Sequence, residues 1–197
     1  MKFNQYLTEK RNNNVIVVDI QPFYIKWSNK KFKIYEFIEF LNGQRKILYF
    51  YNGDSTGIDD NKNSIYNWLV GEGLTKPKND FTFIDKGYGF FRTWMDLGID
   101  EGVLKKAIRF MYFKKVNDSR DISEEEWEEF ENEIEEDIFD NITYDDPIYL
   151  PDVSISLLRK YNGSFIVGGS KDECLKEVEI LMSVFNIKAI RVKEFIY

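Results

Sequence analysis

The sequence predicts one α/β domain over residues 1–197, a three-layer Rossmann-like fold with a mostly parallel sheet and an acidic helical insertion. Three observations carry that expectation. Short apolar runs alternate with segments of helical spacing along almost the whole chain. The run Val15-Ile16-Val17-Val18 is apolar at consecutive positions, as a strand covered on both faces must be. A hydrophobic content of 43%, with 17% aromatic residues, supplies a core for one domain of this length.

The elements follow in order. A strand over 15–20 opens the domain. Phe32 to Leu41 has apolar residues at helical spacing, with Gly43 as its stop. Lys46 to Tyr51 reads as a second strand and runs into the turn-rich loop Asn52-Gly53-Asp54-Ser55-Thr56-Gly57. Ser64 to Val70 is helical and Phe81 to Ile84 is a third strand. Phe90 to Leu97 and Val103 to Phe113 are helical, and Ile155 to Tyr161 leads into the strand Phe165-Ile166-Val167. A helix over Asp172 to Phe185 and a strand over Lys188 to Val192 complete the sheet. Residues 98–150 interrupt the alternation and read as an insertion or lid. Inside it, Ser123 precedes Glu124, Glu125 and Glu126 as an N-cap with a capping box, and Trp127, Phe130, Ile134 and Ile138 fall on one helical face.

Charge is distributed unevenly. Fourteen of the 34 acidic residues lie between Asp121 and Asp146 with no lysine or arginine among them, so the remaining 20 stand against 27 basic residues and the rest of the chain is net +7. A basic body with an acidic arm suits nucleic acid or anionic metabolites as partners, or a solvated helix face. No apolar run reaches the length needed to span a bilayer, so no membrane partner is expected. A single cysteine makes no internal disulfide, and the expected location is the cytoplasm of the producing or infected cell. The abundance of Asn, Lys, Ile, Phe and Tyr is phage-like. Histidine is absent, which excludes imidazole zinc sites and Ser-His or Cys-His triads.

In such folds ligands bind beyond the carboxyl ends of the strands. Asp19, Asp54, Lys86 and the segment Gly168 to Cys174 all fall there. Cys174 follows Gly168-Gly169-Ser170 in the first turn of a helix, where free N–H groups and the helix dipole favour a thiolate. The same position suits an inert core cysteine.

Three ordered segments resemble the isochorismatase-like cysteine hydrolases, the family that includes nicotinamidases. Val17-Val18-Asp19-Ile20-Gln21 is similar to the strand that ends in the family's catalytic aspartate. Ile84-Asp85-Lys86, with Phe91 and Thr93 behind it, resembles the strand-end lysine segment. Gly168-Gly169-Ser170-Lys171-Asp172-Glu173-Cys174 resembles the nucleophile segment, with Lys171 where the family has threonine. The resemblance implies hydrolysis of a small amide, ester or vinyl-ether metabolite without a cofactor. Cys174 would be the nucleophile, Lys86 its activator and Asp19 the proton shuttle. Gly169, Ser170, Gln21 and Phe91 would serve oxyanion or substrate binding, and Phe23, Tyr24 and Tyr88 an aromatic pocket. The histidines of metal-binding nicotinamidases are missing.

Two further readings stay open. A PIN-like nuclease would place Asp19, Asp54 and Asp172, with Asp118, Asp121 and Asp152 as further candidates, around Mg or Mn to cleave a nucleic acid. A non-catalytic viral binding protein would present Trp127 and Phe130 of the acidic helix to a partner.

Overall fold

The computed structural model describes residues 13–27, 32–53, 61–87, 89–134 and 146–197. Five strands, β1 (Asn14–Val18), β2 (Lys46–Tyr51), β3 (Phe81–Asp85), β4 (Ser164–Gly168) and β5 (Ala189–Arg191), form an all-parallel sheet in the order β3-β2-β1-β4-β5. Strand side chains alternate between faces, so the consecutive apolar residues of β1 feed two separate cores. Ile16 and Val18 join Leu48, Phe50, Ile84 and Ile166 on one face. Val15 and Val17 join Ile47, Tyr49, Phe165 and Val167 on the other.

Helices cover both faces, which makes three layers. α1 (Pro22–Trp27) is a six-residue helix opened by a proline at its first position, where no backbone donor is lost. It is too short to show a helical period, so sequence pattern does not announce it. α2 (Ile34–Asn42) and α3 (Lys62–Gly71) cover the second face through Phe37, Phe40, Leu41, Ile65 and Leu69. Asn61 caps α3 by accepting from the amides of Asn63 and Ser64.

The first face is covered by the chain between β3 and β4 together with the last helix. α4 (Arg92–Asp96) and α5 (Glu101–Lys114) are followed by α6 (Glu124–Ile134) and α7 (Ile155–Arg159), and α8 (Cys174–Val184) follows β4. Val103, Leu104, Ala107, Ile108 and Met111 of α5 enter the same core as Val178, Leu181 and Met182 of α8. The stretch 98–150 thus brings a helix into the layer over the sheet.

α6 begins with the expected capping box: the Ser123 amide donates to Glu126 Oε2 and the Glu126 amide to Ser123 Oγ, each at 3.3 Å. Phe130 is buried and stacks on Phe110 with centroids 5.0 Å apart, and the Trp127 indole donates to the Ser119 carbonyl at 3.1 Å. Phe130 therefore belongs to the chain's own core, and Trp127 packs against that core while staying partly exposed. Ile138 lies outside the described residues.

Where β4 ends, Gly168 has φ +87°, and a Cβ there would overlap the Val18 carbonyl of the neighbouring strand. Gly163 has φ +76° with open space around it. Gly163→Ala is expected to cost about 1–2 kcal/mol, the penalty of the left-handed region alone. Gly168→Ala adds a backbone clash and is expected to cost several kcal/mol more, or to prevent folding. Urea unfolding of the pair measures the difference.

Candidate active site

The order of the sheet reverses beside β1, whose neighbours β2 and β4 carry their chains away to opposite faces. A crevice opens at such a switch point, and the carboxyl ends of β1 and β4 deliver Asp19 and the segment leading to Cys174 into it. β1 stops at Val18 because Asp19 turns to φ +51°, a conformation that aspartate tolerates better than the β-branched residues before it. Its amide donates to the Phe50 carbonyl at 3.0 Å, and its carbonyl accepts from the Tyr197 hydroxyl.

Lys86 arrives from β3, two strands away. Its amide extends the β2–β3 ladder by donating to the Tyr51 carbonyl at 2.9 Å. Its side chain is wholly buried, with Nζ 2.9 Å from Asp19 Oδ2 and 5.9 Å from the centre of the Phe90 ring. The Lys86 ammonium and the Cys174 thiol are the side-chain partners of the Asp19 carboxylate.

Cys174 is the first residue of α8, and the helix starts two residues later than its pattern implies. Gly168 and Gly169, both with positive φ, turn the chain out of the sheet. The Ser170 carbonyl then accepts from the amides of Glu173 and Leu175, each at 3.2 Å. Glu173 Oε1 lies 2.8 Å from Arg92 Nη2, which ties this turn to α4. The amides of Ser170, Lys171, Asp172 and Cys174 have no backbone acceptor among the described residues.

Asp19, Lys86 and Cys174 therefore come together from three strand ends. A fourth ionisable group joins them. Glu177 lies one turn after Cys174 on α8, is 1% exposed, and accepts from the amides of Phe90 and Phe91 at 2.8 and 3.1 Å. A glutamate on a helix ordinarily reads as a solvated residue. The signal that would have found it is its place among Cys174, Val178 and Leu181 at 3- and 4-residue spacing, on the apolar face.

Burial raises every acid in this cluster. The Asp19 carboxyl is pushed above its usual range by loss of water, with Lys86 pulling it back. Glu177 is raised for the same reason, opposed by Lys86 and its two backbone donors. Burial alone would lower the Lys86 ammonium, but Asp19, Cys174 and Glu177 outweigh it and hold the proton on. The Cys174 thiol is pushed up to about 12, by burial first and by the Asp19 charge second, with Lys86 opposing. This corrects the expectation of a thiolate favoured by the helix N-terminus and Lys86: desolvation and the neighbouring carboxylate win.

Other expected site residues go elsewhere. Gln21 is fully buried, and its amide accepts from the Asn52 N–H at 2.8 Å and donates to the Asn52 carbonyl at 3.1 Å. Its side chain braces the end of β1 against the end of β2 in place of facing a substrate. Phe91 is sealed in the core. Tyr24 stands at the rim, half-buried, with its hydroxyl 2.7 Å from Asn52 Nδ2 and within the field of Asp19 and Cys174. Gly169 and Ser170 are placed at the turn before Cys174 as expected, the first as backbone and the second through its carbonyl.

Tyr88 of the expected aromatic pocket and Asp54 of the metal reading lie outside the described residues. Asp19 is committed to Lys86, Asp172 is exposed beside Lys171, and Asp118 is paired with Arg120 at 2.7 Å. Among the described residues no three His, Cys, Asp or Glu side chains gather as a cation site, and no helix is long and apolar enough to cross a membrane. A cavity of about 530 Å³ opens beside Lys86 between Gly87, Gly89, Asn117 and Tyr149–Asp152. Asp19 and Cys174 do not line it.

No family model, curated protein or solved structure matches this chain.

Two outcomes follow from the raised acids. Iodoacetamide should label Cys174 slowly at neutral pH and faster only well above pH 9, and Asp19→Asn should speed labelling by removing the charge that holds the proton on sulfur. The second concerns alkaline stability. The folded chain keeps its Cys174 proton to about pH 12 against an ordinary 9.0, and burial holds the Tyr112 and Tyr161 phenols to about 12 against 10.0. The unfolded chain therefore binds fewer protons across this window, and stability should fall from pH 9 to 12. Thermal melts against pH, with Cys174→Ala removing the portion that begins near 9, check it.

Proposed function

We propose that this chain is a cysteine-nucleophile hydrolase of the isochorismatase-like type, acting on a small amide, ester or vinyl-ether compound without a bound cofactor. The observation that carries the reading is the convergence of the buried Asp19–Lys86 pair with the half-buried Cys174 thiol from separate strand ends. Structural lysines and aspartates are seldom both sealed from water, because the desolvation cost is high unless a site requires the charges.

For an acyl substrate the steps run as follows. Sγ attacks the carbonyl carbon while its proton passes to the Asp19 carboxylate, so no free thiolate need accumulate. The oxygen of the tetrahedral adduct takes the negative charge and is held by the amides of Cys174 and the turn before it. Collapse breaks the bond to the leaving group, which receives the proton from Asp19 and departs, leaving a thioester on Cys174. Asp19 then accepts a proton from water as its oxygen attacks the thioester. Release of the acid returns that proton to Sγ. Lys86 stays an ammonium throughout; its charge keeps Asp19 available as a base and offsets the negative charge passing over sulfur.

An activated aryl ester tests this directly. Mass spectrometry of the wild-type chain mixed with 4-nitrophenyl acetate should show an acetyl group on Cys174, with release of nitrophenolate. Cys174→Ala should abolish acylation and lower release at least about 10³-fold. Asp19→Asn should lower it by about 10²–10⁴-fold, the scale of a lost proton shuttle. Equal rates in wild type and Cys174→Ala would sink the proposal.

A further inference from the structure

The site holds two carboxyl groups and one ammonium, and the steps above use only Asp19 and Lys86. We propose that Glu177 is a positioning residue for the nucleophile: its carboxylate straps the Lys86-bearing segment to the Cys174 helix and places a second negative charge one helical turn from the thiol. This rests on the reading of Cys174 as the nucleophile.

The strap is visible in the hydrogen bonds. Phe90 and Phe91 follow Lys86 by four and five residues, and both their amides donate to Glu177 Oε1. At Gly89 a Cβ would lie 2.9 Å from Arg92 Cβ and 3.2 Å from Glu177 Oε1, so the glycine lets α4 and the carboxylate approach together. The other oxygen, Oε2, is buried without a hydrogen-bond partner. A backbone anchor needs only one oxygen, and a glutamine or an ordered water would serve that purpose at lower desolvation cost. What the carboxylate adds is charge.

That charge acts in a cluster that also takes in the Tyr24 and Tyr197 phenols, both within the field of Asp19 and Cys174. Lys86 from the end of β3, Asp19 from the end of β1, and Cys174 on its own helix face Glu177. The next cations are committed elsewhere, Arg92 to Asp96 and Glu173, and Lys176 to Glu101. One ammonium serves both carboxyl groups, so a proton that leaves sulfur adds negative charge to a space holding a single positive one. The thiol therefore keeps its proton until an electrophile can take up the charge. A resting thiol resists oxidation and stray alkylation.

Glu177→Gln retains the length and a carbonyl oxygen for the two amides but removes the charge. Its Cys174 should react with iodoacetamide about tenfold faster at pH 8, the effect of moving the thiol by one unit. The profile of rate against pH should shift to lower pH, with the melting temperature close to wild type. Glu177→Met, apolar and of similar length, gives the same reading if the glutamine variant fails to fold. A folded variant whose labelling profile matches wild type would overturn the proposal, because a purely structural glutamate would leave that profile in place. Acylation of wild-type Cys174 by 4-nitrophenyl acetate separates the two claims. A shifted labelling profile without wild-type acylation removes the hydrolase reading and leaves the charge effect of Glu177 standing. Wild-type acylation with an unshifted profile does the reverse.

Discussion

Much of the molecule's arrangement depends on the ion pair between Lys86 and Asp19. Both side chains are sealed from water, and at that depth neither charge is tolerable alone: losing one partner of a buried pair typically costs about 3–5 kcal/mol. The pair spans the end of the sheet, from β3 past β2 to β1, so it needs those strand ends in register. Several unrelated-looking features serve that need. Gln21 and Asn52 lock β1 to β2, the Tyr49 hydroxyl holds the Ile20 carbonyl, and Tyr197 holds the carbonyl of Asp19 itself. The aspartate's left-handed backbone is thus fixed from several sides, and its carboxylate has one direction left to point.

The same burial that makes the pair necessary sets the character of the thiol. A helix N-terminus and an ammonium both favour thiolate, and on an exposed surface they would decide the matter. Here the thiol is shielded from water and faces a carboxylate, and those effects are larger. The chemistry that fits is a nucleophile that loses its proton during attack, to a base already in place, with the ammonium keeping that base charged. Cys174 is half-buried, while Asp19, Lys86 and Glu177 are sealed from water.

The crossover between β3 and β4 sets the rest of the surroundings. Its helix α5 packs across α8 and closes the layer over the sheet, while α6, despite its acidic outer face, docks through Phe130 and Trp127. α4 reaches back to the nucleophile turn through Arg92 and Glu173, and the segment ahead of it is strapped by Glu177. The elements around the thiol are therefore coupled to one another through charged contacts as well as through the core.

By itself the sequence determined the layered α/β architecture, because consecutive apolar residues in Val15–Val18 and the alternation of strand and helix periods leave few other ways to bury them. It also determined that Asp19, Lys86 and Cys174 fall at strand or helix ends, since those positions are a matter of local pattern. The tertiary structure alone decided the rest. Gln21 and Phe91 face the interior because strand ends pair with neighbours far away in sequence. Glu177 is a member of the site because α8 turns that face onto Phe90 and Phe91, and helical spacing names a face without saying what covers it. Whether Cys174 rests as thiol or thiolate depended on water exclusion and on a charge 155 positions earlier in the chain. Electrostatics at a buried site is a property of distances between residues remote in sequence, and only the packed fold sets those distances.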